Sequence, residues 1–170
     1  MANNPKDEDN VAVYIDRPNV RNTNCQYKNK ALLEGIEKEY GKIIKCNSYL
    51  EFGSRNGKFS RTDMDEKSYE MYKYNINFIS IPTISGKNPT DLHIGIDIVE
   101  DVFQNEHIDT FVIVTSDKDF IPVVKKLIEK GKNVVIVLPH DSKYFNNFST
   151  NAGADVHDLG VMMRKYTETK

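Results

Sequence analysis

Short apolar runs alternate with longer stretches of mixed polarity along most of the chain. Five runs rich in β-branched residues have the length of buried strands, at 11–15, 43–50, 76–81, 110–116 and 133–139. Between and after them, apolar residues at helical spacing predict helices at 28–40, 63–74, 88–103, 120–130 and 143–150. This alternation is typical of βαβ units.

The polarity of the strands predicts how the sheet is covered. The runs VIV at 112–114 and VVIV at 134–137 have no polar alternation, which indicates strands buried on both faces. We therefore predict an α/β fold, an open and mostly parallel sheet with right-handed crossovers and helices on both sides. A short edge strand at 155–159 would bring the strand count from five to six. We predict one domain over 11–160, between a polar tail at 1–10 and a C-terminal tail at 161–170.

Composition places this domain among ordinary globular proteins. The chain has 170 residues, 39% of them hydrophobic and 28% charged, which excludes a disordered chain and a membrane protein. It has no apolar stretch near the ~20 residues of a membrane span, and residues 1–10 are polar, so we expect a cytoplasmic protein with no membrane partner. Cys25 and Cys46 have no metal-ligand spacing, and we predict two reduced thiols.

The charge of the chain is unevenly distributed. The formal net charge is −2, yet residues 17–61 carry ten Lys or Arg against four Glu. Within this segment the loop at 52–61 holds Arg55, Lys58 and two phenylalanines, a combination that can contact the backbone and bases of a single-stranded nucleic acid. The alternative is a solvated surface with a chance excess of basic residues.

Acidic residues stand just after several predicted strands. Asp16 ends the first strand, Asp91 lies in the helix start Asn88-Pro89-Thr90-Asp91, and Asp117 and Asp119 follow the fourth strand. In open α/β sheets the ligand site lies beyond the carboxyl ends of the strands, so these carboxylates are predicted to converge. Crowded carboxylates cost stability unless a cation lies among them, and oxygen ligands favour Mg²⁺ or Mn²⁺.

Each carboxylate also has a structural alternative. Asp91 can belong to a capping box in which Asn88 is the N-cap, and Asp117 or Asp119 can cap the next helix. Asp16 is different, because the following Pro18 predicts a loop with no adjacent helix for it to cap. The helix after Asp91 is supported by an apolar series at helical spacing, Leu92, Ile96, Val99 and Phe103.

Other titratable residues are predicted to have no catalytic role. Asp97 follows Asp91 by six positions, ~240° around the helix and ~9 Å along it, so the two side chains cannot easily reach one metal. We predict that Asp97 is a half-buried carboxylate hydrogen-bonded to nearby backbone. The histidines, at 93, 107, 140 and 157, show no ligand spacing.

Four segments together resemble a known family. They are VAVYIDRPNV, KNPTDLHIGIDIVED, FVIVTSDKDFIPVVKKLIEKGKNVVIV and the weaker NAGADVHDLG, and in this order and spacing they resemble the NYN domain, the LabA-like branch of the PIN-like nucleases. The resemblance implies a three-layer PIN-like, Rossmann-like fold. It also implies a Mg²⁺- or Mn²⁺-dependent ribonuclease, an endoribonuclease that hydrolyses phosphodiester bonds, with single-stranded RNA as its expected partner.

The resemblance also implies site residues. It assigns Asp16, Asp91 and Asp117 as metal ligands and catalytic residues, and Asp119 as a further catalytic residue. The predicted substrate-binding residues are Asn19, Arg17, Ser116 and Lys87, together with Arg55 and Lys58 of the basic loop at 52–61.

Two departures from the family pattern leave roles open. Arg17 and Pro18 follow Asp16 where the family has a small residue, so Arg17 either binds the scissile phosphate or pairs with Asp16 and disfavours metal. Lys87 stands four residues before Asp91 instead of three.

Other protein classes fit the sequence less well than the nuclease. A haloacid dehalogenase phosphatase needs an aspartate where Pro18 stands, and a receiver domain needs a lysine where the last strand ends in Leu138-Pro139-His140. The serious alternative is a PIN-like module that lacks catalysis and binds RNA or a protein. A homodimer is a further expectation that the sequence leaves open.

Overall fold

The computed structural model describes residues 9–21, 28–52, 69, 72–82 and 89–167. The strands are β1 (Asn10–Asp16), β2 (Lys42–Phe52), β3 (Asn77–Pro82), β4 (Thr110–Val114), β5 (Asn133–Leu138) and β6 (Asp155–Asp158). The α-helices are α1 (Arg17–Arg21), α2 (Asn29–Tyr40), α3 (Thr90–Gln104), α4 (Ile121–Glu129), α5 (Lys143–Ala152) and α6 (Leu159–Thr167). A 3₁₀ turn at Lys118–Phe120 leads into α4. Most of the helix predicted at 63–74 lies outside the described residues.

The six strands form one sheet in the order β3-β2-β1-β4-β5-β6, and every pair is parallel. The predicted α/β fold with a mostly parallel sheet is confirmed. From β1 to β3 each strand is added on the same side of the previous one, and β4 then lies on the other side of β1. The strand order therefore reverses between β1 and β4, where an open α/β sheet has its crevice.

Helices cover both faces of the sheet, as the apolar strands predict. One face packs Val13 and Ile15 against α2 and α6, and the other packs Tyr14 and Phe111 against α3, α4 and α5. All five residues of β4 are buried. In the part of the chain that the structure describes, no helix is both long enough and apolar enough to cross a bilayer.

The chain after β1 differs from the predicted loop. Helix α1 begins at Arg17, directly after Asp16. Pro18 does not prevent this, because the first turn of a helix makes no use of the proline N–H. The Asn19 N–H points toward Asp16 Oδ1 at 3.4 Å, so Asp16 does have an adjacent helix to cap, and that part of the prediction was wrong.

Helix α3 begins one residue later than predicted, at Thr90, with Pro89 at the N-cap. Because proline has no N–H, Asp91 cannot complete a capping box with the N-cap residue. Asn88, the predicted cap, lies outside the described residues. The structural alternative for Asp91 therefore has no support at this helix start.

The face of α3 that packs on the sheet is not the predicted apolar series. Ile94, Ile98 and Val102 are the buried residues, and Asp101 is buried with them. The series Leu92, Ile96, Val99 and Phe103 lies on the opposite side and is exposed. Since α3 is apolar on two sides, helical spacing alone could not decide which side faces the core.

The ordered fold extends beyond the predicted boundary at 160. The predicted edge strand at 155–159 is present as β6, and α6 then continues to Thr167 with Met162 and Met163 buried. Tyr166 lies so close to Gly35 of α2 that a Cβ at position 35 would stand 2.7 Å from its ring. Residues 159–167 are thus part of the core and not a tail.

Cys46 is a buried free thiol of β2, as predicted, and burial raises its pKa to about 12. Such a thiol is protonated at neutral pH and unreactive. Cys25 lies outside the described residues.

Candidate active site at the carboxyl edge of the sheet

The carboxyl ends of β1 and β4 meet at the reversal of strand order. Ile15 pairs with Val114, so Asp16 and Thr115 follow side by side. Asp16 is only 1% exposed. Its Oδ2 accepts hydrogen bonds from the Thr115 hydroxyl and from Asn19 Nδ2, both at 2.9 Å. The first predicted ligand is thus held in one orientation by residues from two elements.

The environment of Asp16 is unfavourable for its charge. Burial raises the pKa of its carboxyl, and the neighbouring charge of Asp117 raises it further. Hydrogen bonds from Thr115 and Asn19 oppose the rise without cancelling it. These donors are neutral, so they orient the carboxylate but do not balance its charge.

Asp117 has a structural contact besides its predicted role. Its N–H donates to the Thr115 hydroxyl at 3.1 Å, and its Oδ1 accepts from the Asp119 N–H at 2.9 Å. The second bond caps the 3₁₀ turn, so the capping alternative is confirmed for Asp117. Capping uses one carboxylate oxygen and holds the residue beside Thr115 and Asp16. Asp119 itself is exposed.

Asp91, at the start of α3, belongs to the same cluster. The pKa of its carboxyl is raised to about 6, first by burial and then by the charges of Asp16, Asp117 and Asp119. Carboxylates raise one another's pKa when they are neighbours. The four predicted acidic residues therefore converge, although they come from three separate segments of the chain.

Asn19, Ser116 and His140 form a second network beside the carboxylates. Asn19 Oδ1 accepts from the Ser116 N–H at 3.2 Å, while its Nδ2 is the group bound to Asp16. The Ser116 hydroxyl donates to the His140 carbonyl and accepts from the His140 N–H, both at 2.9 Å. His140 Nε2 donates to the carbonyl of Asn19 at 2.9 Å. The network ties the ends of β1, β4 and β5 together.

Arg17 is directed toward β2 and α2 in its described contacts. Its Nε donates to the Ser48 hydroxyl at 3.0 Å, and its Nη2 lies 3.5 Å from Asn29 Oδ1. Asn19 and Ser116 are thus in the cluster, and Arg17 lies at its border. The other predicted substrate-binding residues, Lys87, Arg55 and Lys58, lie outside the described residues.

Comparison with known proteins identifies the family. The family model of the NYN domain matches residues 10–159. This chain belongs to the NYN domain family. The family places it in the PIN-like nuclease superfamily, and the all-parallel sheet agrees with that fold.

Two proteins similar to this chain have no function stated in their names. An uncharacterised protein of Methanocaldococcus jannaschii is 29% identical over 136 residues, which are 80% of this chain and 50% of that protein. The NYN chain thus spans about half the length of this curated relative. A crystal structure of a protein of unknown function from Vibrio parahaemolyticus superposes with a TM-score of 0.68 at 14% identity, covering 90% of this chain and 93% of that one. At that identity the likeness shows the fold alone.

The donor set of this NYN domain fits a hard divalent cation in its chemistry. All four acidic side chains offer oxygen, which Mg²⁺ and Mn²⁺ prefer. Among the described residues, no group of three or more His, Cys, Asp or Glu forms a cage that could hold a metal ion by itself. A cage is not required for Mg²⁺, which keeps several waters and binds through one or two carboxylates together with substrate phosphate.

Two residues that contact the predicted site residues of this NYN domain, Thr115 and His140, were not among the residues predicted from the sequence. Thr115 connects Asp16 and Asp117, and it is the first residue after β4. His140 stands two residues after β5. Both lie just beyond the carboxyl end of a strand, which is the same positional signal that identified the aspartates.

Proposed function

We propose that this NYN domain is a Mg²⁺- or Mn²⁺-dependent endoribonuclease that hydrolyses phosphodiester bonds of single-stranded RNA. One observation carries the proposal. Asp91 is raised in pKa to about 6 by burial and by the charges of Asp16, Asp117 and Asp119, at the point where the strand order reverses. Such a cluster costs stability in the absence of a cation, and perturbed carboxylates in a crevice are typical of functional sites.

Each acidic residue has a part in this proposal. Asp16, Asp91 and Asp117 would hold the metal, with Asp119 at the exposed side of the cluster. When bound, the metal supplies an activated water and stabilises negative charge on the phosphodiester. Thr115 and Asn19 keep the Asp16 carboxylate in a fixed orientation, which spares the reaction the cost of reorganising it.

The distribution of charge supports RNA as the substrate. The acidic cluster repels a polyanion until a cation neutralises it, so metal and RNA are expected to bind cooperatively. The basic segment at 17–61 supplies the opposite charge, and Arg17 follows Asp16 in the chain, with its guanidinium bonded to Ser48 of β2 at the border of the cluster. Arg55, Lys58 and Lys87 are proposed to contact the RNA backbone.

The test is RNA cleavage by purified protein with and without Asp117→Asn. The asparagine keeps the Oδ1 that accepts from Asp119, so the 3₁₀ turn retains its cap while the charge is lost. We expect the wild type to cut single-stranded RNA with Mn²⁺ or Mg²⁺, and we expect a chelator or Asp117→Asn to abolish cutting.

A matched control is Asp158→Asn. Asp158 ends β6, at the same edge of the sheet, and its Oδ1 caps α6 through the Val161 N–H at 2.8 Å. Asparagine preserves this cap, so the control removes one carboxylate charge at a strand end outside the cluster. It should cut RNA like the wild type. Cutting that survives Asp117→Asn, or that is lost equally in the control, would contradict the proposal.

A binding module without catalysis is the second candidate. One observation favours it: Arg17 stands next to Asp16 where the family pattern has a small residue. In the same assay this candidate predicts RNA that is bound but left intact with either metal. DNA of the same sequence, included in parallel, shows whether the ribose hydroxyl is needed.

A further inference from the structure

The outer face of α3, formed by Leu92, Ile96, Val99 and Phe103, is apolar and exposed. These side chains keep 66%, 54%, 37% and 59% of their surface accessible. The same helix already buries Ile94, Ile98 and Val102 against the sheet. A helix that is apolar on two sides is normally covered on both, so this face has the character of an interface.

The spacing of the outer face is that of a two-helix seam. Its residues are separated by four, three and four positions, the repeat by which helices pack along a common stripe. The stripe is about 16 Å long at the rise of an α-helix. No charged side chain of the described α3 lies within the stripe. Asp97, which lies between Ile96 and Val99 in the sequence, accepts a hydrogen bond from the Tyr49 hydroxyl of β2 at 2.6 Å.

The stripe is also symmetric about its own centre. Leu92 and Phe103 are equally far from the point midway between Asp97 and Ile98, and so are Ile96 and Val99. A second copy of α3 lying antiparallel would therefore place Leu92 against Phe103 and Ile96 against Val99. A two-fold axis through that centre makes the surface complementary to itself.

Charge at the two ends agrees with the antiparallel arrangement. Lys130 Nζ lies 4.9 Å from the centre of the Phe103 ring, so this end of the stripe carries a cation, although Glu100 and Glu106 are exposed nearby. The other end begins at Asp91, beside the acidic cluster. Antiparallel pairing brings Lys130 of one copy toward the acidic end of the other.

The exposed area is sufficient for the centre of a dimer interface. At ~150–200 Å² for a large apolar side chain, the four exposed fractions amount to about 400 Å² per copy. A standard interface buries ~800 Å² per partner, with an apolar centre and a polar rim. The stripe supplies such a centre, and neighbouring polar residues such as His93 and Glu100 would form the rim.

We propose that the outer face of α3 is the interface of a two-fold symmetric homodimer, with the two α3 helices antiparallel. The proposal is independent of the nuclease activity. Because Asp91 is at the N-terminal end of α3, the two carboxylate clusters lie at opposite ends of the interface, and neither blocks the other.

The first test is sedimentation of the full chain. At about 100 µM a dimer with a Kd of ~1 µM is almost completely formed. We expect the wild type to sediment as a dimer and Ile96→Glu to weaken dimerisation by about 100-fold, because the glutamate charge would be buried. Val161→Glu is the matched control, since Val161 is 55% exposed on α6, on the other face of the sheet, and it should leave the dimer intact.

The second test fixes the direction of the helices. Val99→Lys alone should also weaken the dimer, but an equal mixture of Ile96→Glu and Val99→Lys should restore it. Only antiparallel pairing places the glutamate of one copy against the lysine of the other. A monomeric wild type, a dimer unaffected by Ile96→Glu, or a mixture that remains monomeric would each overturn the proposal. Circular dichroism shows whether each variant is folded.

Discussion

Two buried aspartates of this protein have opposite surroundings. Asp101 of α3 accepts bonds from the Tyr14 hydroxyl, from Lys45 Nζ at 2.6 Å and from Asn105 Nδ2 at 2.7 Å. Asp16 of β1 accepts only from neutral groups in its described contacts, and other carboxylates lie near it. Both side chains are almost completely buried. One carboxylate is therefore balanced by a cation of the chain, whereas the other is oriented but not balanced.

The difference separates a structural carboxylate from the proposed metal ligand. Asp101 connects α3 to β1 and β2, and its charge is used within the fold. Asp97 on the same helix is structural too, although its partner is the Tyr49 hydroxyl and not the predicted backbone group. In its described contacts the Asp16 carboxylate is bound to no cation of the chain. We infer that the imbalance around Asp16 is what a metal would correct.

Removing the Asp101 carboxylate, which is paired with Lys45, is expected to have the largest effect on the free energy of unfolding. Asp101→Ala leaves the Tyr14 hydroxyl buried without this acceptor and removes the partner of Lys45. We expect the free energy of unfolding to fall by about 3 kcal/mol, toward the lower limit for a broken buried pair because Lys45 is partly exposed. Urea denaturation measures the loss. Below the unfolding transition, RNA cleavage per folded molecule should stay within a few-fold of wild type.

Replacing His140 should change activity more than stability. His140→Ala removes the side-chain bond to the Asn19 carbonyl but retains the main-chain bonds to Ser116. Loss of such a supporting contact typically costs 10- to 100-fold, and we expect about tenfold in cleavage rate. Steady-state kinetics should show the loss while the unfolding midpoint stays nearly constant. An unchanged rate would exclude His140 as a positioning residue.

The smallest expected effect is a gain in stability. With a chelator present, Asp91→Asn should raise the free energy of unfolding at neutral pH by about 1 kcal/mol, after allowance for the half-exposed side chain. The substitution removes a charge that three neighbouring aspartates repel. Denaturation of Asp158→Asn provides the comparison, since Asp158 lies outside the cluster and that variant should show no gain.

The pH dependence of this gain follows from the direction of the pKa shift. The folded protein holds the Asp91 proton up to a pKa of about 6, whereas the ordinary value is 3.8. Between these two pKa values the folded state binds more protons than the unfolded state. The free energy of unfolding of the wild type therefore falls as the pH rises from about 4 to about 6. The advantage of Asp91→Asn should therefore vanish below about pH 4 and be complete above about pH 6. A constant difference across the window would show that Asp91 is not coupled to the cluster.

The sequence was sufficient for the sheet and for the positions of the acidic residues. Strands such as VAVYI and TFVIV are apolar throughout, and this property depends little on the rest of the fold. The convergence of Asp16, Asp91 and Asp117 follows from the position of each at the carboxyl edge of one parallel sheet. The strand order itself does not follow from local patterns, so the contact between Asp16 and Thr115 could not be predicted.

Features that depend on tertiary packing were missed. The outer face of α3 was indistinguishable from the inner face by spacing, and only the sheet selects Ile94, Ile98 and Val102. Helix α1 was missed because Pro18 breaks strands but is tolerated in a first helical turn. The helix through Thr167 was missed because its stability comes from contact with α2 and not from a strong local signal.

Binding of Mn²⁺ to the protein without RNA tests the central claim most directly. Electron paramagnetic resonance of a Mn²⁺ titration, above the pKa of Asp91, counts the bound ions without relying on catalysis. We predict saturable binding by the wild type and by Asp158→Asn, and its loss in Asp117→Asn. No binding by the wild type, or equal binding by Asp117→Asn, would contradict a metal site among the four aspartates.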